Sequence, residues 1–393
     1  MAKSREILIA GLDVGAAKTA ALIALCRQGS LRILGAGQSA TLGLDKGLIT
    51  DDRAMAGSIR RAFEEAFVTA GVKTAPVVAG YDRPGVFVRD WPAIPPAGRD
   101  AGAAGLTAGG PPRGEKVLCL LHPAQLPLSR RQDGAEARAV AAGAKDVENL
   151  VWCVRLAGRV VREIVYTPLA SAEVLLTPAE KELGAVLVDI GAGKTSVSYF
   201  NRGRLKETAV LPLSSEHIVG DLAVGLRTSM GEARKVLREF GGLSAPGAGG
   251  DRRIAAGGLR GGGKEVSPAV VNAIIEARVQ ELADLLESLF DHFGCSGFLP
   301  GGMVLTGGGA QLAGLAGWLE KRLNIAVKTG TVEAGGSPVD EVFFNACGLA
   351  GYASGLMPPA EKRGADEWVA GILSRLRSRS GRRREKTGRF FAD

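Results

Sequence analysis

The chain has 393 residues, 46% of them hydrophobic and 23% charged, with a net charge of +8. That length and balance belong to a soluble globular protein large enough for two or more packed domains. The charge is local, with eight Lys/Arg against one Glu between Arg375 and Arg389, so the composition argues for a basic tail on a near-neutral body and against nucleic acid as a partner.

Residues 6–27 predict a strand, a glycine-containing turn and a second strand, since Ile7-Leu8-Ile9-Ala10 and 20–26 are buried-strand patterns. An amphipathic helix is expected over 53–70, then a short strand at 76–80. From 92 to 114 the chain turns to Ala, Gly and Pro, a loop composition. A short strand follows at 117–121, a helix at 146–156 and a strongly apolar strand at 185–190. Residues 241–264 are again glycine-rich. A long amphipathic helix is expected over 268–290, with Pro268 near its start, where proline is tolerated. A strand over 301–305 then runs into three glycines and a helix over 311–323. Strands and helices alternate through most of the chain, which predicts α/β layers.

Cys26, Cys119, Cys153, Cys295 and Cys347 are isolated, with no CxxC pair. That spacing argues against a disulfide framework or a zinc site and fits reduced thiols in a cytoplasmic protein. No signal peptide is visible before the first apolar run, and no apolar run approaches the ~20 residues that span a bilayer.

Three glycine turns follow buried strands. The first reads Gly11-Leu12-Asp13-Val14-Gly15-Ala16-Ala17-Lys18-Thr19, the second Val188-Asp189-Ile190-Gly191-Ala192-Gly193-Lys194-Thr195, and the third Val304-Leu305-Thr306-Gly307-Gly308-Gly309-Ala310. None is a P-loop or a dinucleotide fingerprint. The first two share one plan: apolar strand, Asp, apolar residue, Gly, small residues, Lys, Thr. A hairpin with glycines at its tip offers backbone N–H groups to phosphate oxygens. An Asp just before the turn can hold a hydrated Mg²⁺, which keeps several waters. Lys18 lies where a cation could neutralise a terminal phosphate. Two such hairpins can grip a triphosphate from both sides, and the third turn would pass the adenosine over a glycine floor.

This ordered set resembles the actin-like ATPase superfamily, and further segments resemble the FtsA family of bacterial cell-division proteins. They are Gly43-Leu44-Asp45-Lys46-Gly47-Leu48-Ile49-Thr50-Asp51 before the first long helix, and Leu169-Ala170-Ser171-Ala172 with Leu176-Thr177-Pro178-Ala179-Glu180-Lys181-Glu182-Leu183-Gly184 before the second hairpin. Ile275-Glu276-Ala277-Arg278 and Phe344-Asn345-Ala346-Cys347-Gly348-Leu349-Ala350 extend the match. The resemblance implies an α/β, actin-like (ribonuclease H-like) duplicated two-domain fold with an ATP cleft and a reduced inserted subdomain. The implied divisions are 1–83 and 84–165 (the insertion), then 166–357 with a partner-binding part at about 226–303, and a linker, helix and basic tail at 358–393.

The resemblance further implies ATP and Mg²⁺ as cofactors. Asp13, Gly15, Ala16, Ala17, Lys18 and Thr19 would form the first phosphate loop, and Asp189, Gly191, Ala192, Gly193, Lys194 and Thr195 the second. Gly307, Gly308 and Gly309 would meet the adenosine, and Glu232 and Lys235 the nucleoside. Asp13 and Asp189 would hold metal and water. They are weak bases, and Thr167-Pro168-Leu169-Ala170 supplies no carboxylate, so hydrolysis is expected to be slow. In the insertion, Ala/Gly/Pro sequence stands where the family has a helix before Val117, which bears on contacts along a filament and to later division proteins.

At the tail, Asp366 can cap a helix in which Trp368, Val369, Ile372, Leu373 and Leu376 share one arc. Arg375 and Arg377 border it, and Arg379, Arg382, Arg383 and Arg384 follow. Such a helix suits an anionic bilayer surface, and equally a dock on the protein's own core. Resemblance to the FtsA membrane-targeting tail implies the first. The implied partners are the tubulin-like FtsZ, further copies of the chain and anionic inner-membrane lipid, at the cytoplasmic face of the division site. A small-molecule kinase of the superfamily is the alternative that needs a general base, and no candidate stands out. The actin-like component of type IV pilus assembly is another, against which the tail and the 43–51 segment speak.

Overall fold

A computed structural model describes residues 6–27, 30–45, 47–91, 115–121, 137–243, 254–256 and 264–355. The chain opens as a meander of β1 (Ile7–Val14), β2 (Lys18–Arg27) and β3 (Ser30–Ala40). A two-residue pair, β4 (Leu44–Asp45) and β5 (Leu48–Ile49), leads into α1 (Asp52–Ala70). The Asp51 carboxylate caps α1, accepting from the Arg53 and Ala54 N–H groups at 2.9 and 3.0 Å. β6 (Val77–Tyr81) then runs parallel to β1. Next come β7 (Phe87–Trp91), β8 (Glu115–Leu121) and β9 (Ala137–Gly143), a separate antiparallel sheet in the order β7-β9-β8. α2 (Ala144–Leu156) follows, and β10 (Val161–Tyr166) returns parallel to β6.

The second half repeats the plan. α3 (Thr167–Leu175) and α4 (Pro178–Leu183) lead to a meander of β11 (Ala185–Ile190), β12 (Thr195–Asn201) and β13 (Arg204–Leu211). α5 (Ser215–Leu226), α6 (Met230–Phe240), the pair β14 (Ile254–Ala256) and β15 (Lys264–Val266), and α7 (Pro268–Phe293) intervene. β16 (Met303–Thr306) is parallel to β11, and α8 (Leu315–Leu323) carries the chain to β17 (Val327–Thr329). A small hairpin, β18 (Glu333–Ala334) and β19 (Ser337–Pro338), precedes α9 (Phe344–Gly355). The two large sheets have the orders β3-β2-β1-β6-β10 and β13-β12-β11-β16-β17. Each is a three-stranded meander extended by two parallel strands, so the likeness of the two hairpin sequences reflects a duplicated topology.

Side-chain alternation decides which face of each sheet meets which layer. Gly11, Leu22 and Ala36 are partners across β1, β2 and β3 and share one face. A Cβ on Gly11 would fall 2.1 Å from the Ala346 carbonyl, so α9 lies against that face. Gly35 and Gly37 have the other parity and touch the backbone of α1. In the second sheet Val186, Val188 and Ile190 join the core formed with α5 to α8, whereas Ala185 and Leu187 join the core of the first half. The second sheet therefore turns one face toward the first, and Tyr166 Oη meets Thr208 Oγ1 at 2.5 Å between them.

Two expected helix boundaries shift by three residues or more. The helix expected over 311–323 begins at Leu315, because Gly308–Gln311 form a 3₁₀ turn first. The helix expected to end at 290 continues to Phe293, with Phe290 still buried against the second core. Among the described residues no helix is long and apolar enough to cross a membrane. The tail segment with Trp368, Val369, Ile372, Leu373 and Leu376 lies outside the described residues. Cys26, Cys153, Cys295 and Cys347 are buried free thiols.

Candidate functional site

The two hairpin tips are built alike. Gly15 N–H donates to the Lys18 carbonyl at 3.0 Å, and Gly191 N–H to the Lys194 carbonyl at 2.9 Å. A Cβ on either glycine would press to 3.0 or 3.1 Å of the same carbonyl, which is why each tip begins with glycine. The tips meet, since a Cβ on Gly193 would stand 2.8 Å from the Ala16 Cβ. Ala16, Ala17 and Lys18 are exposed at the first tip, and Ala192 and Gly193 are at least partly open at the second. Thr19 and Thr195 are buried beneath them. Thr19 bonds Thr41 Oγ1 at 2.8 Å, and Thr195 Oγ1 donates to the Leu213 carbonyl at 2.8 Å. Both threonines therefore brace the hairpins from below.

Parity also places the two aspartates. Asp13 lies two residues past Gly11 on the face covered by α9, and Asp189 two past Leu187 on the face turned to the first half. Asn345, at the start of α9, stands between them. Its Nδ2 donates to Asp13 Oδ2 and to Asp189 Oδ2, each at 3.2 Å, and its Oδ1 accepts from Ser171 Oγ at 2.6 Å. Carboxylates only accept, so these partners define the amide orientation. Burial, then the Asp189 charge, push the Asp13 carboxyl up to about 6, against the Asn345 hydrogen bond. Asp189 is also raised, chiefly by burial.

The third glycine turn lies beside this pair, because β16 is the parallel neighbour of β11 and Thr306 is opposite Asp189. Its glycines differ in what they require. Gly307 has φ +83, and a Cβ there would meet Asp189 Oδ1 at 2.3 Å; one on Gly309 would meet Ile190 Cγ2 at 2.4 Å. A Cβ on Gly308 would touch none of the described atoms. Gly308 thus borders open space where its neighbours are required by packing.

Glu232 and Lys235 sit on α6 and pair with each other at 2.6 Å, both exposed. Ser229 caps that helix through the Glu232 N–H. The end of α6 is tied to the segment after the third turn, Leu243 N–H donating to the Ala313 carbonyl at 2.8 Å. Sequence reasoning missed three contributors: Asn345, Ser171 and Asp82. Asn345 and Ser171 stand inside segments that carry the family resemblance, but nothing in their spacing marks that they bond each other across 174 residues or that Asn345 reaches two aspartates. Asp82 follows β6 and holds Lys194 and Ser196 of the second hairpin.

A duplicated pair of sheets with facing Asp–x–Gly hairpins and a late glycine turn is the architecture of the actin-like ATPases. Solved structures agree on the fold. The chain superposes on the "PilM-PilN type IV pilus biogenesis complex" with a TM-score of 0.66, at 20% identity, covering 89% of this chain and 99% of that one. MreB5 of Spiroplasma citri bound to ADP gives 0.55 at 13% identity over 88% and 95%, and the MamK double helical filament 0.53 at 14% over 89% and 99%. Sequence is more specific. The family description "Cell division protein FtsA" matches residues 186–354. Cell division protein FtsA of Pseudomonas aeruginosa is 30% identical over 348 residues, 82% of either chain, and that of Bacillus subtilis 29% over 332 residues, 78% of this chain and 75% of the relative. The chain belongs to the FtsA family of cell-division proteins.

Proposed function

We propose that this actin-like division protein binds ATP between its two hairpins, self-assembles, and anchors FtsZ filaments to the cytoplasmic membrane through the 366–376 segment. The observation that carries the nucleotide reading is the convergence at Asn345: two hairpin tips exposed at Ala16 to Lys18 and at Gly193, two carboxylates crosslinked at their bases, and a glycine turn with open space beside them. The hairpin N–H groups and Lys18 would meet phosphate, Gly307 to Gly309 the adenosine, and Glu232 and Lys235 the nucleoside from α6. Because Glu232 and Lys235 bond each other, a nucleoside would have to exchange that ion pair for its own hydroxyl or ring contacts.

The residues fit a hydrated magnesium ion. Asp13 and Asp189 are raised by burial and, at Asp13, by mutual repulsion, so a divalent cation would relieve them. An ion held there by two carboxylates would keep several of its own waters. Bound there, it would neutralise phosphate charge. The divisions at 1–83, 84–165, 166–357 and 358–393, with a partner-facing part at about 226–303, belong to the same reading, as does recruitment of later division proteins.

The PilM likeness keeps a pilus-assembly role in view, but at 20% identity it speaks for the fold alone. One experiment separates them. Purified chain is sedimented with FtsZ and anionic vesicles, with and without ATP and magnesium, while a fluorescent ATP analogue reports binding. Nucleotide binding with ATP-dependent co-sedimentation is expected. Nucleotide binding with no retention of FtsZ would reject the anchor role, and no nucleotide binding would reject the cleft.

A further inference from the structure

Asp82 leaves the first sheet just past Tyr81, at the carboxyl end of β6, whose neighbours β1 and β10 are both parallel to it. Ligand sites in α/β sheets form at that edge. Its side chain is only 9% exposed. Oδ2 accepts from Lys194 Nζ and from Ser196 Oγ, the latter at 2.6 Å, and Lys194 Nζ lies 2.5 Å from the same hydroxyl. Oδ1 is buried without a hydrogen-bond partner among the described residues. An orphaned buried carboxylate oxygen is costly, so this arrangement is one the site tolerates and does not optimise.

Charge in the cleft is unevenly matched. Asp82 lies close enough to raise both Asp13 and Asp189, and Lys194 close enough to lower both. Three carboxylates thus draw on one ammonium. That ammonium belongs to the second hairpin tip, at the position that corresponds to Lys18 in the first, whereas Asp82 belongs to the opposite half. The backbone after Asp82 is held, because Arg83 is 5% exposed and Nη1 donates to the Gly47 carbonyl at 2.7 Å.

We infer that Asp82 stands in for a terminal phosphate: it holds Lys194 and Ser196 in the nucleotide-free cleft and yields Lys194 to the γ-phosphate, so that it determines how strongly the cleft prefers triphosphate to diphosphate. A carboxylate and a phosphate oxygen present the same acceptor to an ammonium and a hydroxyl, and two anions cannot share one ammonium without repulsion. A diphosphate, lacking the outer group, leaves the Asp82–Lys194 pair between the halves in place. A triphosphate exchanges that carboxylate bridge for a phosphate bridge. This inference rests on ATP binding between the hairpins.

The test measures ATP and ADP affinities of the full chain with magnesium, in wild type, Asp82→Asn, Lys194→Met and the double variant. Asp82→Asn keeps the shape and removes the competing charge, so ATP should bind about tenfold more tightly relative to ADP, the worth of one charge-assisted hydrogen bond. Lys194→Met should lower the same ratio about tenfold. In the double variant the gain from Asp82→Asn should shrink, because no ammonium is left to release. An equal gain with and without Lys194 would mean that Asp82 merely repels nucleotide, and weaker ATP binding in Asp82→Asn would make it a ligand; either result overturns the inference. Thermal melting without nucleotide checks folding. If Asp82→Asn does not fold, Lys194→Met decides alone, and equal loss for ATP and ADP overturns the inference. Wild type that binds neither nucleotide rejects the underlying cleft reading instead.

Discussion

Asn345 donates to two carboxylates from a single amide nitrogen, and a side-chain amide has just two such hydrogens. Its removal would leave Asp13 and Asp189 with their mutual repulsion and less to offset it. The linkage to stability follows from the direction of the Asp13 shift. A carboxyl raised from 3.8 to about 6 binds its proton more tightly folded than unfolded. Its contribution is therefore full below pH 3.8 and is lost as the pH rises through about 6. Asp13→Asn is fixed in the neutral form. In magnesium-free, nucleotide-free buffer it should match wild type near pH 4 and be more stable at pH 7.5, by up to about 3 kcal/mol. Denaturant melts at the two pH values check this, and a difference that does not grow with pH would mean that Asp13 is not enclosed as described.

At the scale of elements, the third glycine turn separates what the fold needs from what a ligand would need. A side chain on Gly308 meets open space, whereas one on Gly307 must adopt φ +83 and displace Asp189. Gly308→Val should fold with nearly wild-type stability yet lose the fluorescent ATP analogue. Gly307→Ala should instead lower stability, by roughly 1–3 kcal/mol. Melting and analogue titration on the same samples distinguish the two. Full analogue affinity in Gly308→Val would take the adenosine away from this turn. The hairpins show a related division: Gly15 and Gly191 are required by a carbonyl three residues ahead, and Gly193 by the opposite tip.

For the whole molecule, the proposed membrane attachment would depend on the number of tails acting together. Five apolar side chains at Trp368, Val369, Ile372, Leu373 and Leu376 could each contribute ~1.5–3 kcal/mol if fully buried, but an interfacial helix buries them partly and must also order itself. The basic residues beyond them are worth about 1 kcal/mol each near an anionic surface, and salt screens them. One copy should bind lipid weakly, and a filament displaying many should bind firmly through avidity. Flotation with anionic vesicles at low salt should therefore recover the full chain best with ATP, and recover little of a truncation ending at Pro359 or of Trp368→Glu. Equal flotation of all three would show that the tail is not the anchor. Turnover belongs to the whole cleft as well. Asp13 and Asp189 are weak bases, and the 167–170 segment supplies no carboxylate. Steady-state ATP hydrolysis should stay below about 1 s⁻¹, and a faster rate would reopen the kinase alternative.

Elements with local causes are legible in the amino-acid sequence alone. The Asp-x-Gly hairpins are, because Gly15 and Lys18, or Gly191 and Lys194, lie three residues apart and close on each other. α1 and α7 show in their 3.6-residue periodicity, and the duplicated plan in the likeness of two strand-and-turn segments. The segment after the third turn is less legible: glycine triplets signal a break without saying whether a 3₁₀ turn or a helix comes next, and α8 starts four residues late. The partners within the cleft are set by tertiary structure. Asn345 reaches Asp13 across 332 residues and Asp82 reaches Lys194 across 112. Such contacts arise because parallel strands align their carboxyl ends and α9 returns from the second half to cover the first sheet. A single polar residue at the end of a strand or the start of a helix carries no periodic signature of which distant chain it will face.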